Sequence, residues 1–305
     1  WFNFLSSLSP LPDEVNFWQP SGGTSFRVIN PGELFLFKLH SPLNYIVGGG
    51  FFVRHSVLPL SLAWEAFEQK NGTKDFESFH ARIMHFRKQY KSFEPDPMIG
   101  CIILTEPFFF IKKGEWIPIP ENWSPNIVQG KTYDTDDPVG ESLWNKIKEC
   151  LSKNKKNDIE LNKAQEIAEE GAAYGTEYLM RARLGQGAFR ILVTEAYKRK
   201  CAITGERTLP VLESAHIKPY SKSGPHRVNN GLLLRSDLHK LFDLGYVTIT
   251  ADFHIEVSKR IKEEYENGRA YYALHGQKLI NLPVKPSDWP TKGYIEWHNQ
   301  KIFVP

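Results

Sequence analysis

The run Glu213 to Asp243, ESAHIKPYSKSGPHRVNNGLLLRSDLHKLFD, gathers His216, His226 and His239 with the pair Asn229-Asn230 in a turn-rich stretch that ends in an apolar helix. A neutral imidazole is the side chain best matched to proton transfer near neutral pH, and it is also a common metal ligand. His239 and Asp243 stand one helical turn apart, so they share a face and can hold one divalent ion together. His216 closes an apolar run and is the candidate proton acceptor. A base near a metal-capable pair is the equipment for activating water.

Residues of this kind need elements that hold them. The surrounding sequence has the layout of a ββα unit: a strand PVLESAHI, a loop carrying Lys-Ser-Gly-Pro-His, a strand VNNGLLL, and a helix SDLHKLFD capped by Ser236. His226 sits in the Ser-Gly-Pro loop and reads as an exposed residue, at most a weak contact for a partner. Upstream, LGQGAFRILVTEAYKRKCAITG forms an amphipathic helix with Phe189, Leu192, Val193 and Tyr197 on about one face. Downstream of Asp243 the chain returns to short strands and a helix or two.

The N-terminal part, about residues 14–135, alternates apolar runs with turn signals: SFRVI, ELFLFKL, YIVGGGFFV and IGCIILTEPFFFI. Their β-branched and aromatic content and bounding Gly, Pro and Asn mark strands. LSLAWEAFEQKNG and FESFHARIMHFRKQY interrupt them with helical spacing, capped from Leu60-Ser61 and from the Gly-Thr-Lys-Asp stretch. Strands broken by two helices imply a small mixed β-barrel with flanking helices. Residues 141–182 are rich in helix formers and alternating charge and read as a helical connector.

A chain of 305 residues suits two domains, and 41% hydrophobic with 24% charged residues is ordinary for a globular protein. No apolar run reaches membrane-span length, and WFNFLSSLSPLPDE lacks the basic flank of a signal peptide, so a cytoplasmic protein without membrane partners is expected. Cys101, Cys150 and Cys201 form no CxxC pair and read as small hydrophobes. Residues 1–179 carry 18 Lys+Arg against 23 Asp+Glu, whereas residues 180–305 carry 20 against 12. The basic excess is C-terminal and suits a polyanion.

Ala215-His216-Ile217, Asn230-Gly231-Leu232-Leu233-Leu234 and His239-Lys240-Leu241-Phe242-Asp243-Leu244-Gly245 resemble the HNH endonuclease family, as do Leu184-Gly185-Gln186, Phe189-Arg190, Tyr197 and Cys201-Ala-Ile-Thr-Gly. The resemblance covers about residues 183–250. It implies a ββα-metal nuclease in which His216 deprotonates water, Asn230 holds the loop so that His216 stays oriented, and His239 acts with Asp243 on one Mg²⁺ or Mn²⁺ per site. Lys218, Lys222, Arg227 and Arg235 flank the site as candidate phosphate contacts. Many HNH enzymes place a metal ligand directly before the catalytic histidine. Here that residue is Ala215, so either the site has two protein ligands or Asp243 replaces the missing one.

In the first domain, FWQPSG, PGELFLFKL, IVGGGFFV and IGCIIL, followed by Trp116, Trp123-Ser-Pro-Asn-Ile-Val-Gln-Gly-Lys and Tyr133-Asp-Thr-Asp-Asp, are similar to EVE-like members of the PUA superfamily. That resemblance implies base flipping into an aromatic pocket. Trp18, Tyr45, Phe51 and Trp116 are the candidate stacking residues, and Asp134 or Asp136 a candidate acceptor for a cytosine amino group. The expected α+β architecture is a base-reading domain over 1–140, the connector over 141–182 and an HNH domain over 183–305. Its expected partner is double-stranded DNA carrying 5-methyl- or 5-hydroxymethylcytosine, and a homodimer would supply two cuts. Two other readings compete: a binding protein with a degenerate nuclease half, and an RNA-directed, YTH-like reader joined to a nuclease.

Overall fold

The apolar run YIVGGGFFVRHSVLP becomes one long strand, β3 (Tyr45–Pro59), buried over most of its length. In the computed structural model it anchors a five-stranded antiparallel sheet with β1 (Glu14–Gln19), β2 (Leu34–Lys38), β4 (Met98–Phe109) and β5 (Ile117–Pro118). The strand order is β1-β4-β3-β2, with β5 on the start of β3. The described residues are 1–23, 26–87, 94–124, 127, 130–153 and 184–305. They fall into two units, Trp1–Arg183 and Leu184–Pro305.

The sheet is open, not the closed barrel expected. β1 and β2 are its edges and share no ladder, yet Phe17 of β1 packs against Phe35 and Phe37 of β2 at 5.1 and 6.1 Å between ring centroids. Trp1, at the start of helix α1 (Phe2–Leu5), adds its ring at 5.2 Å from Phe17 and 4.9 Å from Phe37. A ladder needs backbones about 4.8 Å apart. Rings packed through the seam join the two edges in place of a ladder. SFRVI is also not a strand: residues 26–29 are irregular, and Phe26 instead gives its ring to Phe35 and Phe52.

Helices α2 (Leu60–Phe67) and α3 (Phe76–Arg87) fall where expected. The first is not capped by Ser61, whose N–H and hydroxyl donate to Asp96, but Asp75 caps the second by accepting the Ser78 N–H at 2.8 Å. Helix α4 (Pro138–Lys153) occupies the start of the expected connector. Its Leu143, Ile147 and Leu151 pack against Ile46, Phe110 and Ile117, so this stretch is part of the first unit's core. The rest of the connector lies outside the described residues.

The second unit contains α5 (Gln186–Ala196), β6 (Leu212–His216), β7 (Gly231–Arg235) and α6 (Ser236–Asp243), followed by β8 (Val247–Ile249), β9 (Ile255–Val257), α7 (Arg260–Tyr265), α8 (Arg269–Tyr272) and α9 (Lys292–Lys301). Phe189, Leu192, Val193 and Tyr197 are all buried, as the helical spacing requires. The β7 leucines and Phe242 of α6 close the same core. No described helix is long and apolar enough to cross a membrane.

Candidate active site

His216 ends β6 and lies opposite Gly231 in the β6–β7 register. The glycine is required by packing, because a Cβ there would sit 2.5 Å from Val193 Cγ2 and 3.1 Å from Phe189 Cζ. Phe189 fills that space and carries the His216 imidazole flat on its face, with centroids 3.8 Å apart and planes 14° apart. Burial, with smaller contributions from His226 and His239, lowers the His216 pKa to about 4. At neutral pH the ring is therefore an uncharged imidazole able to accept a proton.

Asn230 is fully buried and works as a clamp. Its Oδ1 accepts the Lys218 N–H at 2.9 Å, and its Nδ2 donates to the carbonyls of Lys218 and Pro225, both at 2.9 Å. Its own carbonyl accepts the Ile217 N–H. One side chain thus ties together both ends of the loop. Gly224 lets the loop close, since a Cβ there would lie 1.8 Å from the Lys218 carbonyl oxygen. Closure brings His226 onto His216: His216 Nε2 and His226 Nδ1 are 2.9 Å apart. His226 is half-buried and stacks on Tyr220 at 4.4 Å and 11°, so it is not the exposed bystander its loop suggested.

On α6, His239 and Asp243 do face each other, with Nε2 and Oδ2 3.3 Å apart. Glu213 of β6, which the sequence did not single out, meets the other side of the ring at 2.6 Å from Nδ1. A carboxylate on Nδ1 favours the tautomer protonated there, which would leave the Nε2 lone pair on the Asp243 side for a cation. Burial raises the Asp243 pKa, against the opposing pull of His239 and Lys240. A cation beside that carboxyl would favour its ionised form. Ala215 is fully buried in the core and offers nothing to the site. Among the described residues, no group of three or more His, Cys, Asp or Glu could hold a metal ion. A divalent ion held at His239 and Asp243 would have two protein donors there, with water and substrate oxygens to complete its shell.

The candidate phosphate contacts differ among themselves. Lys222 is exposed, and the Lys218 ammonium lies 5.7 Å from the centroid of the Trp297 ring. Arg227 is partly buried. Arg235 is engaged by Asp237 through two bonds of 2.6 and 2.7 Å. Ser236 does not cap α6 as expected, because it is the first helical residue and Arg235 holds the N-cap position.

Compared with known families, residues 201–250 match the family described as HNH endonuclease. The match contains His216, Asn230, His239 and Asp243. This stretch is an HNH endonuclease domain. Among solved structures, a modification-dependent TagI restriction endonuclease aligns at 14% identity over 95% of this chain and 75% of that chain. Its TM-score of 0.28 gives the likeness no weight for the fold. No curated protein matches the chain. Phe189, on which His216 stacks, lies outside the matched residues but within the same unit as the HNH domain.

The six base-pocket candidates of the first unit do not converge. Phe51 is 2% exposed in the sheet and presents no face to a ligand. Trp18 is partly buried against Phe79 and Phe86, and its indole N–H donates to the Asn71 carbonyl at 3.0 Å. Tyr45 and Trp116 are neighbours, 5.9 Å between centroids, with the Trp116 N–H given to the Phe110 carbonyl. Asp134 and Asp136 are exposed in the turn before α4, where Asp134 Oδ1 accepts the Asp136 N–H. Two aromatic places remain as candidates: Trp18 with Phe86, and Tyr45 with Trp116.

Proposed function

We propose that this protein is a modification-dependent DNA endonuclease, in which the first unit recognises a modified cytosine and the HNH domain hydrolyses a nearby phosphodiester. The observation that carries the nuclease half is the neutral His216, stacked on Phe189 and held by its Nε2 side, with no hydrogen bond to Nδ1 among the described residues. Water gives a proton to His216 Nδ1 as its oxygen attacks phosphorus, and the bond to the leaving oxygen breaks. His239 and Asp243 would hold a divalent ion, Mg²⁺ or Mn²⁺, which stabilises charge on the phosphorus and the leaving oxygen. Asn230 keeps the loop, and with it the base, in place. One such site cuts one strand, so a double-strand break takes two protomers or two events.

The address is argued from chemistry. A domain that is net acidic over its sequence gains little from phosphates, so its affinity must come from contacts to a base. An extruded base is held by stacking on π-faces and by polar groups on its edge. Trp18 and the Tyr45–Trp116 pair offer such faces, and cytosine with a 5-methyl or 5-hydroxymethyl group is the substrate this reading assigns.

Comparison of modified with unmodified plasmid, each with and without Mg²⁺ or Mn²⁺, tests the proposal. Ion-dependent cleavage of the modified form alone is the expected result, and equal cleavage of both forms removes the modification from the reading. Trp18→Ala and Tyr45→Ala locate the reader. Loss of one stacked base costs about 1–3 kcal/mol, so one of them should lower modified-site affinity roughly five- to a hundredfold while unmodified DNA binds as before. If neither variant changes the ratio of the two affinities, neither aromatic place reads the base.

A further inference from the structure

We propose that His226 is a positioning residue for the base: its Nδ1 accepts the His216 Nε2–H and so fixes the His216 tautomer that leaves Nδ1 free to take a proton from water. The inference rests on the nuclease reading of His216 and names a second imidazole on which that reading depends.

Three observations converge. The 2.9 Å separation of His216 Nε2 and His226 Nδ1 allows one hydrogen between them. Each ring is supported from its own side, His216 by Phe189 at 3.8 Å and His226 by Tyr220 at 4.4 Å, so neither can turn without losing a stacked partner. The Asn230 clamp holds the Pro225 carbonyl, one residue before His226, so the same side chain that closes the loop also places the second imidazole.

Proton accounting then chooses the direction. A neutral imidazole carries one N–H, on either nitrogen. Were His226 to donate through Nδ1, His216 would spend its lone pair at Nε2 and carry its proton at Nδ1, leaving no site for the proton of water. With His216 donating, its Nδ1 lone pair is open. When the water O–H bond breaks, the proton goes to that nitrogen, the hydroxide oxygen bonds to phosphorus, and the bond from phosphorus to the leaving oxygen breaks. The imidazolium left behind keeps its Nε2–H on His226, and a charged donor strengthens that bond.

The test uses the full chain, with supercoiled plasmid containing 5-methylcytosine and Mn²⁺ as the probe. His226→Phe keeps a ring for Tyr220 but removes the acceptor. His226→Asn keeps a polar atom near the Nδ1 position but removes the ring. Loss of such a supporting partner costs about 10–100-fold. That loss is expected in kcat for His226→Phe, with KM unchanged, and His226→Asn should recover most of it. Equal losses in both variants, or parent-like cleavage by His226→Phe, overturn the assignment. ¹⁵N chemical shifts of His216 in the parent protein need no variant to fold: a proton on Nε2 is expected, and a proton on Nδ1 overturns the proposal. A parent protein that fails to nick with any divalent ion defeats the nuclease reading itself, and this proposal falls with it.

Discussion

His216 and His298 live in nearly the same surroundings and are bonded differently. Each lies flat on a phenylalanine 3.8 Å away, Phe189 for one and Phe242 for the other, and burial brings each pKa to about 4. His298 is 2% exposed and both its nitrogens are committed: Nε2 faces the Phe242 carbonyl at 3.1 Å and Nδ1 faces the Thr248 hydroxyl at 2.8 Å. His216 has one nitrogen committed. A lowered pKa and a stacked ring are therefore common to a brace and to the residue proposed as the base. What separates them is a lone pair left for chemistry.

The largest effect should fall on the His216 side of that contrast. We expect His216→Ala to lose at least 10²–10⁴-fold in cleavage, roughly the contribution of a general base, while DNA binding and the unfolding midpoint stay near those of the parent. Nicking rates and thermal unfolding measured on the same preparations decide this, and parent-like nicking would end the assignment of the base. EDTA should likewise stop cleavage and Mn²⁺ should restore it, without the loss of folded structure that damage around His298 would bring. Asp243→Ala should require more Mn²⁺ for half-maximal cleavage. An unchanged requirement would make Asp243 a structural partner of His239 only.

The complementary change, His298→Ala, should cost stability. It opens a cavity under Phe242 and leaves buried polar groups unpaired, for a loss of roughly 2–4 kcal/mol in urea unfolding. Cleavage per folded molecule should fall far less than in His216→Ala. The reverse pattern would mean that the two histidines have been given each other's roles.

Acid should weaken both places. Each histidine has a folded pKa of about 4, below the ordinary imidazole value of about 6.5, so between those values the unfolded chain binds more protons. Stability is thus fully present above about pH 6.5 and lost as pH falls towards 4, by up to about 3 kcal/mol per histidine. His298→Phe should flatten that slope in urea titrations between pH 7 and pH 4.5. An unflattened slope would mean that His298 is not held neutral.

The smallest effects concern phosphate contacts. Lys222→Ala should lower the slope of log affinity against log salt by about one, whereas Arg235→Ala should lower it less, because Asp237 already takes up that guanidinium. Equal changes would show that Arg235 leaves Asp237 when DNA binds.

The site was legible where spacing alone fixes geometry. Four residues on α6 put His239 beside Asp243, and the helical period put Phe189 and Tyr197 in the core. His226 and Glu213 were not legible, for different reasons. His226 reaches His216 only because Asn230 and Gly224 close the loop, and no periodicity encodes that closure. Glu213 meets His239 across two elements, a contact set by how α6 lies on β6. In the first unit, runs such as YIVGGGFFV marked strands correctly, but barrel closure depends on what fills the seam between edges. Leu143, Ile147 and Leu151 stand at helical spacing, a signal passed over because helix formers and alternating charge made the segment read as a connector.

That seam has a consequence for how the first unit can vary. Where two strands are joined by a ladder, a slip of one residue turns every side chain to the wrong face, so register is locked. Between β1 and β2 the join is made instead by Phe17, Phe35, Phe37 and Trp1, whose rings touch without any hydrogen-bond register. Exchanging one ring for a smaller or larger side chain changes the distance between the edges and leaves β1 on β4 and β2 on β3. The interior of this sheet can thus be resized by single substitutions along one line, as a strap is let out by a notch.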